Sequence, residues 1–76
     1  MKREDVLSAV YSERARQRKK WGDQSNRHSL YWMVILSEEH GELAKALLNE
    51  KGKEALKEEL IQVAAVCVAW LEEGFD

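Results

Sequence analysis

Apolar residues recur at the 3.6-residue spacing of an α-helix in three segments, and no segment shows the two-residue alternation of a strand. The segments cover about residues 3–20, 29–50 and 53–73. The apolar face of the first segment consists of Val6, Leu7, Val10 and Tyr11. We therefore predict an all-α protein of three helices that occupies residues 1–76 as a single domain.

Two polar, glycine-containing stretches separate the predicted helices. Residues 22–26 are typical of a loop, and residues 49–53 of a helix C-terminus followed by a short turn. The candidate caps of the second helix are Ser25, Asn26 and Ser29. Gly41 lies inside a helical pattern, where glycine costs roughly 1 kcal/mol relative to alanine. We expect the close approach of another helix or of a ligand to explain this glycine.

The second and third predicted helices are apolar on more than one side. In the third helix, a wide arc is covered by Val66, Val68, Ala69 and Trp70. Three helices cannot cover this much apolar surface within one chain. We therefore predict a homodimer or homotetramer that is built by helix packing.

The composition fits a small folded protein, which we expect to be cytoplasmic. The residues are 45% hydrophobic and 34% charged. No segment approaches the ~18–20 apolar residues that span a bilayer, and the first residues do not resemble a signal peptide. We expect no membrane partner. Cys67 is the single cysteine, and its apolar surroundings in sequence predict a buried, reduced thiol.

Charge is distributed unevenly along the chain. Residues 1–27 contain eight Lys or Arg and four Asp or Glu, whereas residues 28–76 contain four and ten. The basic part has two interpretations. It contacts phosphates or nucleic acid, or it contacts the acidic part of a neighbouring subunit.

Two carboxylate clusters interrupt the apolar helical pattern. Glu39 and Glu42 lie three residues apart in the second helix, as do Glu59 and Gln62 in the third, so the members of each pair point the same way. The stripe around Glu39 consists of Trp32, Leu36, Leu43 and Ala46, and the stripe around Glu59 of Leu56, Val63 and Val66. The acidic residues that we expect to be solvated are Glu38, Glu50, Glu54, Glu58, Glu72 and Glu73.

Carboxylates at core positions need compensation. Burial of an ionised carboxylate costs on the order of several kcal/mol, and two neighbouring carboxylates repel each other. A bound cation relieves both penalties, and Mg²⁺ prefers oxygen ligands. The sequence therefore predicts a Mg²⁺ site, which would also accept Mn²⁺, formed by Glu39, Glu42, Glu59 and Gln62.

The segments 38–46 and 58–66 resemble the MazG-like members of the all-α nucleoside triphosphate pyrophosphohydrolase superfamily, and the resemblance covers roughly residues 10–73. That superfamily also includes dimeric dUTPases and phosphoribosyl-ATP pyrophosphohydrolases. Its hallmark is Glu-x-x-Glu on one helix and Glu-x-x-Asp on the next, which together hold Mg²⁺. The corresponding elements here are Glu39-x-x-Glu42 and Glu59-x-x-Gln62. Residues 20–24 and 68–72 also resemble short phage and mobile-element members of the superfamily.

The resemblance implies hydrolysis of a nucleoside triphosphate between its α- and β-phosphates, which gives a monophosphate and pyrophosphate. It implies that Glu39 or Glu38 orients or deprotonates the attacking water. Gln62 replaces the aspartate of the hallmark. An amide oxygen still ligates Mg²⁺, but the site has one negative charge fewer, so we expect weaker metal binding.

Candidate substrate contacts lie around the first loop and on the helices. Trp21 stands beside the polar loop and is expected to stack on the base. Trp32 is a base contact or a core residue, and His28 is a base contact or a loop hydrogen-bonder. The basic residues that would contact the triphosphate are Lys20, Arg27, Lys45, Lys53 and Lys57. Each of these is also open to interpretation as an ordinary surface charge.

Two other functions remain open from the sequence. The run Arg14-x-Arg16-x-Arg18-Lys19-Lys20-Trp21 fits a small nucleic-acid-binding regulator. The chain is acidic overall and shows no helix-turn-helix, so we do not expect a nucleic acid partner. The other possibility is a catalytically inactive interaction protein that keeps the fold.

Overall fold

Three α-helices make up the protein in a computed structural model, which describes residues 1–75. Helix α1 spans Arg3–Trp21, α2 spans Ser29–Leu48 and α3 spans Lys53–Glu73. These bounds confirm the helices predicted from the apolar spacing to within two residues. The described residues contain no strand, so the predicted all-α class is confirmed for this part of the chain.

The segment between α1 and α2 ends at an unexpected cap. Gly22 stops α1 in a backbone conformation with φ 71°, which favours glycine. His28 then caps α2, because its Nδ1 accepts a hydrogen bond from the backbone N–H of Leu30 at 3.0 Å. The prediction of Ser25, Asn26 or Ser29 as the cap was wrong. The imidazole nitrogen supplies the acceptor that an N-cap oxygen usually provides.

The C-terminus of α2 closes with the hydrogen bonds of a Schellman motif. The backbone N–H of Lys51 donates to the carbonyl of Ala46 at 3.1 Å, and that of Glu50 donates to Leu47 at 3.3 Å. Glu50 takes the left-handed conformation, with φ 49°. The chain therefore reverses within residues 49–52, and this short reversal sets α2 beside α3.

Helix α3 is the element against which both α1 and α2 pack. The buried apolar residues are Trp32, Ala46, Ala65, Val66 and Ala69. Three of these five are alanines, so the apolar core of one chain is small. Many large apolar side chains on all three helices remain exposed, which matches the predicted surplus of apolar surface.

A buried carboxylate joins α1, the first loop and α3. Glu73 is only 7% exposed, so the expectation that it is solvated was wrong. It accepts hydrogen bonds from the guanidinium of Arg18 and from the backbone N–H of Gln24, the latter at 3.2 Å. The guanidinium of Arg14 lies 3.5 Å from the same carboxylate and donates to Glu72 at 2.8 Å. The charge of Glu73 is therefore compensated by two arginines.

The same network reaches α2 through a buried glutamine. The side-chain amide of Gln24 donates to the hydroxyl of Tyr31 at 2.7 Å, while the Gln24 backbone is held by Glu73. Arg27 lies over the Tyr31 ring, 5.0 Å from its centroid. These contacts fix the loop of residues 22–28 against the ends of α2 and α3.

The structure also shows where Cys67 lies and how long and apolar the helices are. Cys67 is exposed, so the prediction of a buried thiol was wrong. It lies on the outer side of α3, in a shallow groove with Leu36, Trp70 and Leu71. Within residues 1–75, no helix is long and apolar enough to cross a bilayer.

The Glu73 network leads to a stability prediction. We expect Glu73→Gln to lower the free energy of unfolding by roughly 2 kcal/mol, because it removes the buried charge that compensates the buried Arg14 and the half-exposed Arg18. Urea unfolding followed by circular dichroism measures the difference. Glu72→Gln is the matched control, since the Glu72 side chain is 56% exposed and should cost less than 1 kcal/mol, about the value of a surface ion pair. Equal losses for the two variants would contradict the assignment.

Candidate functional site

The two carboxylate clusters meet where α2 packs against α3. The hydrogen-bonded orientation of the Gln62 amide directs its nitrogen to Oε2 of Glu39 and to Oε2 of Glu59, at 3.2 Å each. Glu39 belongs to α2, whereas Glu59 and Gln62 belong to α3. One neutral amide therefore bridges two carboxylates from different helices. Rotation of this amide by half a turn would present its carbonyl oxygen to the same space.

The apolar stripes predicted for α2 and α3 explain this position. Trp32 and Ala46 are buried, and Glu39 lies half-buried between them on the same side of α2. On α3, Gln62 is half-buried and lies one turn before the buried Val66. Packing of these stripes against each other necessarily brings the polar side chains together.

Glu42 does not join this group in the structure. Its side chain is exposed and lies 3.6 Å from the ammonium of Lys45. Among residues 1–75, no group of three or more His, Cys, Asp or Glu side chains is close enough to hold a metal ion. Of the four predicted ligands, the structure therefore brings together two carboxylates and one amide, and the fourth, Glu42, faces solvent.

The electrostatic environment of Glu39 is unfavourable for its charge. Burial raises the pKa of the Glu39 carboxyl above its ordinary value of 4.5. The carboxylates that raise this pKa further are those of Glu59, Glu13, Glu42 and Glu38. The site thus holds more negative charge than its own hydrogen bonds compensate.

Helix α1 contributes an acidic residue that the sequence analysis missed. Glu13 accepts two hydrogen bonds from Arg16, at 2.8 and 2.6 Å, and one from the side-chain amide of Gln17 at 3.1 Å. The buried Gln17 also reaches the backbone carbonyl of Gln62, 3.5 Å away. Glu13 and Gln17 therefore border the Glu39–Glu59–Gln62 group from the third helix.

Arg16 is the cation associated with this border. Its hydrogen bonds lower the pKa of Glu13, and Glu13 in turn raises the pKa of Arg16, with a further contribution from Glu39. A signal for this border exists in the sequence. Glu13 and Gln17 continue the apolar stripe that begins with Val6 and Val10, at intervals of three and four residues.

The predicted base contacts occupy three different environments. Trp21 is 43% exposed, and the Lys20 ammonium lies 5.2 Å from the centroid of its ring. His28 is exposed, but its Nδ1 is engaged in the cap of α2. Trp32 is only 1% exposed and meets the Tyr31 ring edge-on, so it offers no face for stacking in this conformation.

The remaining predicted site residues lie away from the bridging amide. Lys45 is paired with Glu42, and Lys57 lies 3.4 Å from Glu54. Lys57 is five residues before Gln62, which places it about 140° around the helix. Glu38 is exposed and lines an open groove with His28, Tyr31 and their neighbours on α2.

Comparisons with models of known protein families, with curated proteins and with solved structures found no match for this chain.

The raised pKa of Glu39 leads to a prediction about stability and pH. At neutral pH the ionised carboxylate destabilises the fold, so we expect Glu39→Gln to raise the melting temperature when divalent cations are absent. As the pH falls through the raised pKa towards 4.5, the folded protein takes up the proton first and gains stability. The advantage of the variant should therefore shrink, as thermal unfolding between neutral pH and pH about 4.5 would show.

Glu38→Gln is the control for this prediction, because it removes the same charge at an exposed neighbouring position. Its effect on the melting temperature should be smaller at neutral pH. An advantage of Glu39→Gln that stays constant across the pH range would contradict the role of its carboxylate charge.

Proposed function

We propose that the protein is a Mg²⁺-dependent nucleoside triphosphate pyrophosphohydrolase that produces a monophosphate and pyrophosphate. The observation that carries this proposal is the single amide of Gln62 between Glu39 of α2 and Glu59 of α3, 3.2 Å from each. The two halves of the MazG-like motif therefore lie side by side.

The donor set suits Mg²⁺, which is commonly bound by one or two carboxylates together with waters and substrate phosphates. We assign Glu39, Glu59 and the carbonyl oxygen of Gln62 as its ligands. Glu42 would join them by leaving Lys45, and their exposed ion pair is weak. When bound, the cation would neutralise phosphate charge and acidify the attacking water. Mn²⁺ has the same preference for oxygen and would substitute.

Residues of this chain would orient the water and the triphosphate. Glu39 is the carboxylate on α2 that already faces the site, and Glu38, its exposed neighbour in sequence, is the alternative base. Arg16 lines a groove with Glu13 and Gln62, next to the proposed ligands, which makes it the preferred phosphate contact. Lys45 and Lys57 become secondary candidates because they do not line this groove.

The exposed face of Trp21 is the preferred surface for the base, since an indole ring stacks on a nucleobase while its edge stays in water. His28 would contribute through Nε2, because its Nδ1 is already a hydrogen-bond acceptor. Trp32 is left out of this proposal because it is buried.

The charge pairing on α1 favours the enzyme over a nucleic-acid-binding regulator. Arg14 and Arg18 face Glu72 and Glu73, and Arg16 faces Glu13. Arg14 and Arg18, two of the three arginines of the basic run, are thus compensated by glutamates of α3, which reduces the charge available to a phosphate backbone. A catalytically inactive interaction protein that keeps the fold is the other alternative, and pyrophosphate release would exclude it.

We also propose that the protein works as a homo-oligomer. Large apolar side chains are exposed on every helix, including Leu7, Val34, Leu48 and Leu71. A monomer of this size would leave an unusually large apolar surface in water. A second copy of the chain is the partner available wherever the protein is made, and it would cover these apolar side chains.

Pyrophosphate release tests the enzymatic proposal. With Mg²⁺ or Mn²⁺, we expect at least one of the common ribo- or deoxyribonucleoside triphosphates to yield monophosphate and pyrophosphate in equal amounts. Glu59→Gln should reduce the rate by at least about 100-fold, because it removes a metal ligand. Glu4→Gln, which removes the same charge at an exposed position in the first turn of α1, is the control and should retain activity. A diphosphate and inorganic phosphate as products would contradict cleavage between the α- and β-phosphates.

Replacement of the Gln62 amide tests the proposed metal site through thermal stability, with no need for an activity assay. In Gln62→Asp, three carboxylates would adjoin one another, so the melting temperature should fall in the presence of a chelator. Added Mg²⁺ should then raise it by more than in the native protein. Gln62→Asn is the control, since it shortens the side chain without adding charge. An identical Mg²⁺ response in all three proteins would remove Gln62 from the ligand set.

A further inference from the structure

Helix α2 carries an apolar stripe on the side that faces away from α3. Its residues recur at alternating intervals of four and three, the spacing that joins two helices in a coiled-coil seam. They are Leu30, Val34, Ser37, Gly41, Ala44 and Leu48. Leu30 is 65% exposed and Leu48 is 81% exposed. Among the described residues, α2 packs against α3 with its other side, so this outer stripe has no partner within the chain.

Gly41 is not explained by packing within one chain. A Cβ atom built at this position would meet no atom of residues 1–75 within 4 Å, apart from its own helix backbone and chain neighbours. The glycine therefore relieves no contact in the protomer, and yet it weakens the helix in which it lies, as a mid-helix glycine does. Its neighbour along the stripe is Ser37, one turn earlier, which is also small. Two helices that cross at such a point can approach closely, because the distance between helix axes depends on the side chains at the contact.

The exposed area of the chain matches the requirement of one partner. The protein exposes 5687 Å², whereas a compact monomer of 8.8 kDa exposes about 4,800 Å². The excess of roughly 900 Å² is close to the ~800 Å² that each partner contributes to a standard interface. A second copy of the same stripe has large side chains at its ends and small ones at its centre. The stripe is thus complementary to itself about a two-fold axis.

We infer that the outer stripe of α2 is the two-fold interface of a homodimer, in which the two α2 helices cross at Ser37 and Gly41. This inference rests on the proposed homo-oligomer, and its test measures the oligomeric state and not hydrolysis. Leu30 and Val34 also line the groove that contains His28 and Glu38. In the dimer, Leu30, Val34 and Leu48 leave water. Gly41 then has a role that the protomer alone does not provide.

Charge substitutions on two exposed faces test the inference. We expect the native chain to sediment as a dimer and Val34→Glu to sediment as a monomer with unchanged helicity, because Val34 is half-exposed in the protomer. Leu71→Glu is the matched control on the outer face of α3, where Leu71 is 72% exposed, and it should remain dimeric. A monomeric native chain would overturn the homo-oligomer and the interface together. A monomeric Leu71→Glu with a dimeric Val34→Glu would overturn the interface and leave the homo-oligomer standing.

Gly41→Gln provides the second test. Glutamine favours the helix, and the protomer has open space for it, so the isolated chain should gain stability. A side chain at a close crossing has no such space, so the dissociation constant of the dimer should rise by at least about tenfold. Sedimentation equilibrium measures the dissociation constant, and circular dichroism measures the helicity. A more stable variant with unchanged dimer affinity would show that Gly41 lies outside the interface.

Discussion

The carboxylate of Glu73 accepts hydrogen bonds from α1 and from the loop that leads into α2, at the last turn of the helix on which both neighbours pack. The apolar core alone stabilises the packing of the helices only weakly, because most of its residues are alanines, which bury little apolar area. A buried charge with several donors is directional, since it is stable only when those donors are in place. Glu73 therefore holds α1 and the loop against the end of α3, and the small apolar core packs beside it.

One stripe of α3 organises both polar centres of the molecule. Gln62, Val66, Ala69 and Glu73 follow one another at intervals of four, three and four residues, so they share a side of the helix. The apolar pair at the middle is buried, and each end carries a polar group that faces other helices. The carboxylate site is consequently held by the same packing that holds the Glu73 network, 11 residues further along.

The spacing of apolar residues was sufficient to predict the helices and the meeting of Glu39 with Glu59, because a helix fixes which residues share a side. It was insufficient where partners are far apart in sequence. The burial of Glu73 depends on Arg14 and Arg18, which no local pattern connects to it. Cys67 lies in an apolar run that surrounds the whole helix, so composition does not indicate which side is covered. His28 acts as a cap because its ring happens to face the open N–H of Leu30, although Ser25 and Asn26 are commoner caps.

The ion pair between Arg18 and Glu73 joins residues 55 positions apart, whereas α2 and α3 are connected by only a short reversal. Closing a long loop costs more entropy than closing a short one, and this cost precedes any gain from the contact. The hairpin of α2 and α3 is thus the natural first unit of folding, and we expect α1 to dock onto it afterwards.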